Sequence, residues 1–98
     1  MAFTDRDVYQ AVRSIPKGKV RTYGEVAEML DADRRFASRA VGQALGRADA
    51  SVPWWRVVRR DGSMRVPRDP EQVRRLEAEG VAISDGRVRL SRNIGRQS

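Results

Sequence analysis

The stretch from Thr22-Tyr23-Gly24-Glu25 to Leu30-Asp31-Ala32-Asp33 constrains this chain more than any other. Thr22 and Glu25 have the S/T-x-x-E spacing of a capping box, in which each side chain accepts the backbone N–H of the other residue. That fixes a helix start at Tyr23. Asp31-Ala32-Asp33 is a polar turn, so this helix covers only 23–30. A further helix over 34–46 comes directly after it and is closed by Gly46, with Phe36, Ala40, Val41, Ala44 and Leu45 as its expected inward side. Two short helices joined by a tight turn make a helix-turn-helix arrangement, and any fold for the chain has to be built around that pair.

The flanking signals are weaker but consistent. Phe3, Val8, Ala11, Val12 and Ile15 follow helical spacing, which predicts a first helix over 5–14, broken by Pro16-Lys17-Gly18-Lys19. Val20-Arg21-Thr22 is a short extended lead into the capping box. After a loop at 48–52, Pro53-Trp54-Trp55-Arg56-Val57-Val58 predicts a turn running into a short strand, and Asp61-Gly62 is a hairpin signal. Asp69-Pro70 predicts a fourth helix with Asp69 as N-cap and proline at N1, ended by Gly80. Val81 to Ser84 and Arg87 to Leu90 flank Asp85-Gly86 as a second hairpin. The fold class is therefore mainly α with small β-hairpins, a helix-turn-helix of winged-helix-like form. At 98 residues the chain is expected to be one domain over 1–98, with 93–98 a mobile tail.

Charge narrows the function. Twenty Lys and Arg stand against 13 Asp and Glu, a net +7, and residues 34–68 alone hold nine basic and two acidic residues. The excess thus lies on the second helix of the pair and the segment after it, the footprint of a polyanion partner such as nucleic acid; a solvated basic face is the alternative. Only Lys17 and Lys19 are not arginine, and arginine forks onto phosphate and stacks on flat rings. The chain has no cysteine and no histidine. This excludes disulfides, thiolate or imidazole nucleophiles, histidine bases and the usual zinc sites. No carboxylate pair stands out and no glycine-rich phosphate loop follows a strand, so neither an enzyme nor a cofactor is expected. No apolar run approaches the ~20 residues of a membrane span. Met1 to Asp7 lack a secretory pattern, which predicts a cytoplasmic protein without membrane contact.

Three places can carry recognition. Tyr23, at the start of its helix, either meets a phosphate or base edge or is a half-buried core ring. Arg39, one turn into the next helix, either enters a groove or faces phosphate or solvent. Trp54-Trp55 on a strand would face opposite sides, so that one indole is core and the other, beside Arg56, Arg59 and Arg60, is a stacking surface; alternatively both are packing residues.

Four ordered segments then show a resemblance that covers nearly the whole chain. Pro-Lys-Gly-Lys-Val-Arg-Thr-Tyr-Gly-Glu-Val-Ala (16–27), Ser-Arg-Ala-Val-Gly-Gln-Ala-Leu (38–45), Val-Pro-Trp-Trp-Arg-Val-Val (52–58) and Leu-Glu-Ala-Glu-Gly-Val (76–81) resemble the DNA-binding domain of the alkylguanine-DNA alkyltransferases. Those enzymes carry Pro-Cys-His-Arg-Val where this chain has Pro53-Trp54-Trp55-Arg56-Val57. With tryptophan at the alkyl-acceptor position, the chain resembles the alkyltransferase-like proteins, which bind O6-alkylguanine in DNA without repairing it and hand it to nucleotide excision repair. The resemblance implies a fold of the alkyltransferase C-terminal type, with the helix over 34–46 in the minor groove. It implies DNA binding by Tyr23, Ser38, Arg39, Ala40 and Gly42, where Tyr23 pushes on the phosphate of the damaged nucleotide and Arg39 fills the vacated space. It implies a lesion pocket of Trp54, Leu45, Val57 and an arginine, Arg68 or Arg65. Trp55 replaces the histidine that activates the thiol, and Glu79 matches a glutamate left with a structural part. Arg47 departs from an asparagine that braces the next turn. The expected partners are double-stranded DNA with an alkylated guanine and nucleotide excision repair proteins, met by a monomer. Two other readings stay open: a helix-turn-helix transcriptional regulator, which needs a dimer to read two half-sites, and a protein-interaction module without lesion specificity.

Overall fold

The computed structural model describes residues 3–64 and 68–89; Arg65 and the expected tail over 93–98 lie outside them. The first helix, α1 (Asp5–Arg13), starts on a capping box of its own. Thr4 Oγ1 accepts the Asp7 N–H at 3.2 Å while Asp7 accepts the Thr4 N–H at 2.9 Å. Val8 and Val12 point inward and Ile15 closes the apolar stripe just beyond the helix end. The breaker at Pro16 turns the chain through Gly18, at φ +84°, into β1 (Arg21–Thr22).

The capping box at Thr22 forms as the spacing requires: its hydroxyl accepts the Glu25 N–H at 3.1 Å and the Glu25 carboxylate accepts the Thr22 N–H at 2.8 Å. It launches α2 (Tyr23–Met29). Leu30 and Asp31 form the turn, with Asp31 at φ +58°, and the Asp33 carboxylate accepts the Arg35 N–H to start α3 (Arg34–Gly46). The buried side of α3 is Ala37, Val41, Ala44 and Leu45, continued by Ala48. Val41, Ala44 and Leu45 are inward as expected, whereas Phe36, 77 % exposed, and Ala40 are not. Apolar spacing of three and four defines a stripe, but Phe36 and Ala40 sit one position off the buried stripe.

The two tryptophans are not in a strand. Trp54–Arg56 is a 3₁₀ turn, and both indoles are buried, 1 % and 8 % exposed, at right angles with ring centres 5.8 Å apart. The alternation argument for one exposed ring therefore fails. The strand proper, β2, is Val57–Val58, and it pairs in parallel with β1, Arg21 opposite Val57 and Thr22 opposite Val58. The Asp61-Gly62 signal makes a turn, closed by the Gly62 N–H on the Arg59 carbonyl at 2.8 Å. It does not send a second arm back along β2; Ser63 bridges Arg87 instead. Gly62 is required there, because at φ +85° a Cβ would stand 2.5 Å from the Val88 carbonyl oxygen.

The fourth helix, α4 (Asp69–Ala78), begins one residue early: Arg68 is the N-cap, without a side-chain cap bond, and Asp69 is the first helical residue. Gly80, at φ +86°, stands just past its end. Gln72 of α4 is fully buried, and its amide donates to the carbonyls of Trp55 (3.1 Å) and Val57 (2.8 Å). This fixes the tryptophan turn onto α4, because a buried carbonyl without a donor costs about 1–3 kcal/mol. The last element of the described residues is the hairpin β3 (Ile83–Ser84) and β4 (Arg87–Val88), which leaves out the expected Val81, Ala82 and Arg89; Leu90 lies outside the described residues. No helix among the described residues is long and apolar enough to cross a membrane.

Candidate nucleic-acid interface

With α3 anchored through Ala37, Val41, Ala44 and Leu45, rotation of about 100° per residue places Arg39 opposite the core. Arg39 is exposed, and among the described residues it makes no hydrogen bond or ion pair. Its neighbours one turn away on the helix surface are Arg35, Phe36 and Gln43, all exposed, and the half-buried Gly42, while Ser38 and Ala40 flank it in sequence.

Tyr23 is the first residue of α2. Its ring is half-buried and packs on the core, and the same residue lines an open cleft of about 330 Å³. The two readings of this tyrosine are compatible. Thr22, Gly24, Arg35, Ser38, Arg59 and Arg60 complete the lining. In the sequence, Arg59 and Arg60 stand out only as neighbours of the tryptophans. Their dipeptide directly after Val57-Val58 is the signal, but its meaning depends on the parallel pairing of β1 with β2, which no local pattern announces.

Trp54, Leu45 and Val57, which the resemblance implies as pocket residues, all lie in the hydrophobic core, at 1 %, 1 % and 0 % exposure. The Arg68 guanidinium covers a face of the Trp54 indole, 3.8 Å from the ring centre. It is held there by donating to the Leu45 (3.3 Å) and Ala48 (3.1 Å) carbonyls, at the end of α3 and just beyond it. The Trp54 Nε1–H is buried and has no acceptor among the described residues.

Trp55 faces the other way. Its Nε1–H donates to Glu79 at 2.9 Å, and the guanidinium groups of Arg75 and Arg56 lie 4.5 and 5.9 Å from its ring centre. Glu79 is the centre of a buried network. It accepts from the Gly18 N–H (3.0 Å) and from Arg56 Nε (3.1 Å) and Nη2 (2.8 Å), and Arg56 Nη1 reaches the Ile15 carbonyl at 2.8 Å. Burial pushes the Glu79 carboxyl up, but the bonds from Arg56, Trp55 and Gly18 outweigh it and hold the group below the ordinary glutamate value. One carboxylate thus ties the turn after α1, the tryptophan turn and the end of α4. Arg47, the C-cap of α3, forks onto Asp5 at 2.9 and 2.8 Å and so fastens the end of α3 to the start of α1; this bond is the main cause of the lowered Asp5 pKa. Among the described residues no group of three or more acidic side chains could hold a metal ion.

Known proteins share this arrangement. The family model described as 6-O-methylguanine DNA methyltransferase, DNA binding domain, matches residues 3–81. The chain is 40 % identical over 88 residues to a DNA base-flipping protein of Vibrio parahaemolyticus, covering 85 % of this chain and 86 % of that one. It is 42 % identical over 83 residues to Alkyltransferase-like protein 1 of Schizosaccharomyces pombe, covering 78 % and 74 %. Among solved structures, S. pombe Atl1 in complex with damaged DNA containing O6-carboxymethylguanine superposes with a TM-score of 0.73 at 38 % identity, over 82 % of this chain and 78 % of that one. Mycobacterium tuberculosis OGT in complex with DNA gives 0.69 at 32 % identity, over 80 % and 51 %.

Proposed function

The chain belongs to the family of the 6-O-methylguanine DNA methyltransferase DNA-binding domain, and from that premise we propose that it binds DNA at an O6-alkylated guanine, turns the damaged nucleotide out of the duplex, and holds it without repairing it. The observation that carries this reading is Arg39, exposed opposite the core of α3 and without a hydrogen bond or ion pair among the described residues. Relatives named for base flipping, and a structural neighbour bound to DNA containing O6-carboxymethylguanine, support it.

The proposed order of events is built from the side chains. α3 lies in the minor groove, with Ser38, Ala40 and Gly42 against the DNA. Tyr23 presses on the phosphate of the target nucleotide. Flipping costs a few kcal/mol, and least for a poorly paired base. An O6-alkyl group removes the N1 proton and spoils pairing with cytosine, so a lesion leaves the stack more cheaply than intact guanine. Arg39 enters the gap and restores part of the lost stacking by cation–π contact. To receive the base, Arg68 lifts from the Trp54 indole, and the alkyl group then lies on apolar surface, where each buried CH₂ is worth about 0.8 kcal/mol. Leu45 and Val57 back that surface.

No alkyl group moves to the protein in this reading. The chain has no cysteine or histidine, and the Trp55 N–H is committed to Glu79. The held lesion then serves as a marker for nucleotide excision repair proteins, with the protein acting as a monomer in the cytoplasm. The test compares a duplex carrying one O6-methylguanine with its unmodified twin, titrated by tryptophan fluorescence. The wild type binds the modified duplex more tightly, and Arg39→Ala loses about tenfold or more of that affinity, the worth of one desolvated cation–π contact. Equal binding of the two duplexes overturns lesion recognition, and unchanged affinity in the variant removes Arg39 from the mechanism.

A further inference from the structure

We infer that the cleft between the ends of β1 and β2 and the first turns of α3 is a phosphodiester site, in which Arg59 and Arg60, with Arg35, grip the DNA backbone. The inference rests on the DNA-binding reading and adds residues that neither the family likeness nor the lesion pocket brings in.

The site is assembled by the shortest of ladders. β1 and β2 are parallel and each has two residues, with Thr22 opposite Val58. Both chains leave the ladder in the same direction at the same level, so Tyr23-Gly24 and Arg59-Arg60 emerge side by side. Arg35 and Ser38, from the first turns of α3, close the third side. The opening of about 330 Å³ holds roughly ten waters at ~30 Å³ each, ample for a phosphate group and part of its hydration.

Its charge is one-sided. Three arginines line the opening and no carboxylate does. The acids in the adjoining segments already have partners: Glu25 accepts the Thr22 N–H, Asp61 accepts the Ser63 N–H at 3.0 Å, and Asp33 pairs with Arg35 itself, in an exposed pair at 3.3 Å. Such a pair is worth little in water and yields readily to a doubly forked phosphate. Arg35 also lies against the exposed Phe36 ring, 5.4 Å from its centre. Guanidinium groups gathered around one opening repel each other until an anion sits between them. The hydroxyl-bearing residues Tyr23 and Ser38 supply further donor types that suit phosphate oxygens. Arg35 and Arg39 are one helical turn apart on α3, about 6 Å along the axis. A phosphate in the cleft is therefore clamped beside the residue proposed to enter the stack, where a firm hold on the backbone is needed while the base turns out.

The test titrates modified and unmodified duplexes between about 50 and 200 mM salt with Arg59→Ala/Arg60→Ala, Arg59→Lys/Arg60→Lys and a charge-matched control, Arg6→Ala/Arg74→Ala. Arg6, Arg59, Arg60 and Arg74 are all exposed, so thermal melting confirms the fold of each variant. The cleft predicts that the double alanine variant loses the same factor, about tenfold at low salt, on both duplexes. Its slope of log affinity against log salt becomes shallower by about one to two. The lysine variant keeps the slope and recovers part of the affinity, since a point charge does not fork. The inference is overturned by an unchanged slope in the alanine variant, by a loss confined to the modified duplex, or by an equal change in the control. If the wild type does not distinguish the two duplexes, lesion recognition fails while a shallower slope still upholds the cleft.

Discussion

Replacing Glu79 by glutamine removes one charge and reverses one hydrogen-bonding end of a side chain that only accepts. Oε1 takes the Gly18 N–H and Arg56 Nε; Oε2 takes the Trp55 N–H and Arg56 Nη2. Whichever end becomes the amide nitrogen, an N–H of the variant faces an N–H of a neighbour. The Glu79 and Arg56 side chains are 8 % and 15 % exposed. Breaking a fully buried ion pair from one side costs about 3–5 kcal/mol, and slight exposure places this one near 3. That is a large part of the roughly 5–15 kcal/mol that stabilises a domain of this size, and it lowers Tm by about 12–20 °C. Urea unfolding followed by tryptophan fluorescence reads the loss directly, with exposed Glu77→Gln as the reference. The pH dependence supplies the sign. Glu79 titrates below the ordinary glutamate value in the folded chain. Its contribution is complete above that ordinary value and fades as pH falls through the lower folded value, so the gap between wild type and variant narrows in acid. A variant that melts within a few degrees of wild type, or a gap that widens as pH falls, refutes the network as a source of stability.

Two further outcomes test other parts of the chain. Trp54→Cys gains no alkyl transfer from an O6-methylguanine duplex, read as unchanged protein mass after incubation, because no base stands ready to take the thiol proton; a mass increase of one methyl group contradicts this. Gly62→Ala loses about 2 kcal/mol or more, read in the same urea titration, since it combines an unfavourable φ with contact on the Val88 carbonyl; a loss of only a few tenths refutes the strict need for glycine.

The legible parts of this fold are the local ones. Thr22 and Glu25 bond each other across three residues, so their spacing alone announces the helix and the site at its head. The turn at Asp31 to Asp33 and the extent of α3 come from equally short-range chemistry. Errors arise where distant residues decide. Periodicity puts Val41, Ala44 and Leu45 inward on α3 but does not give the edge of the stripe, which tertiary packing sets at Ala37 rather than at Phe36 and Ala40. Two bulky aromatics suggest a strand, yet Gln72 and Glu79, from the far end of the chain, hold the tryptophans in a 3₁₀ turn. Resemblance names the lesion-pocket residues, but not that Arg68 lies on the indole. The arginine cleft is invisible in the sequence because it needs two dipeptides, 36 positions apart, to meet across a two-residue parallel ladder.

Among the described residues the buried N–H of Trp54 meets no acceptor, and this bears on how the protein can change over time. A buried donor weighs against the folded state by about 1–3 kcal/mol wherever it goes unpaired. Phenylalanine at this position removes that handicap but also surrenders the broad ring on which Arg68 rests. Under the proposed function, a sturdier resting molecule and a surface for a turned-out base thus pull on residue 54 in opposite directions.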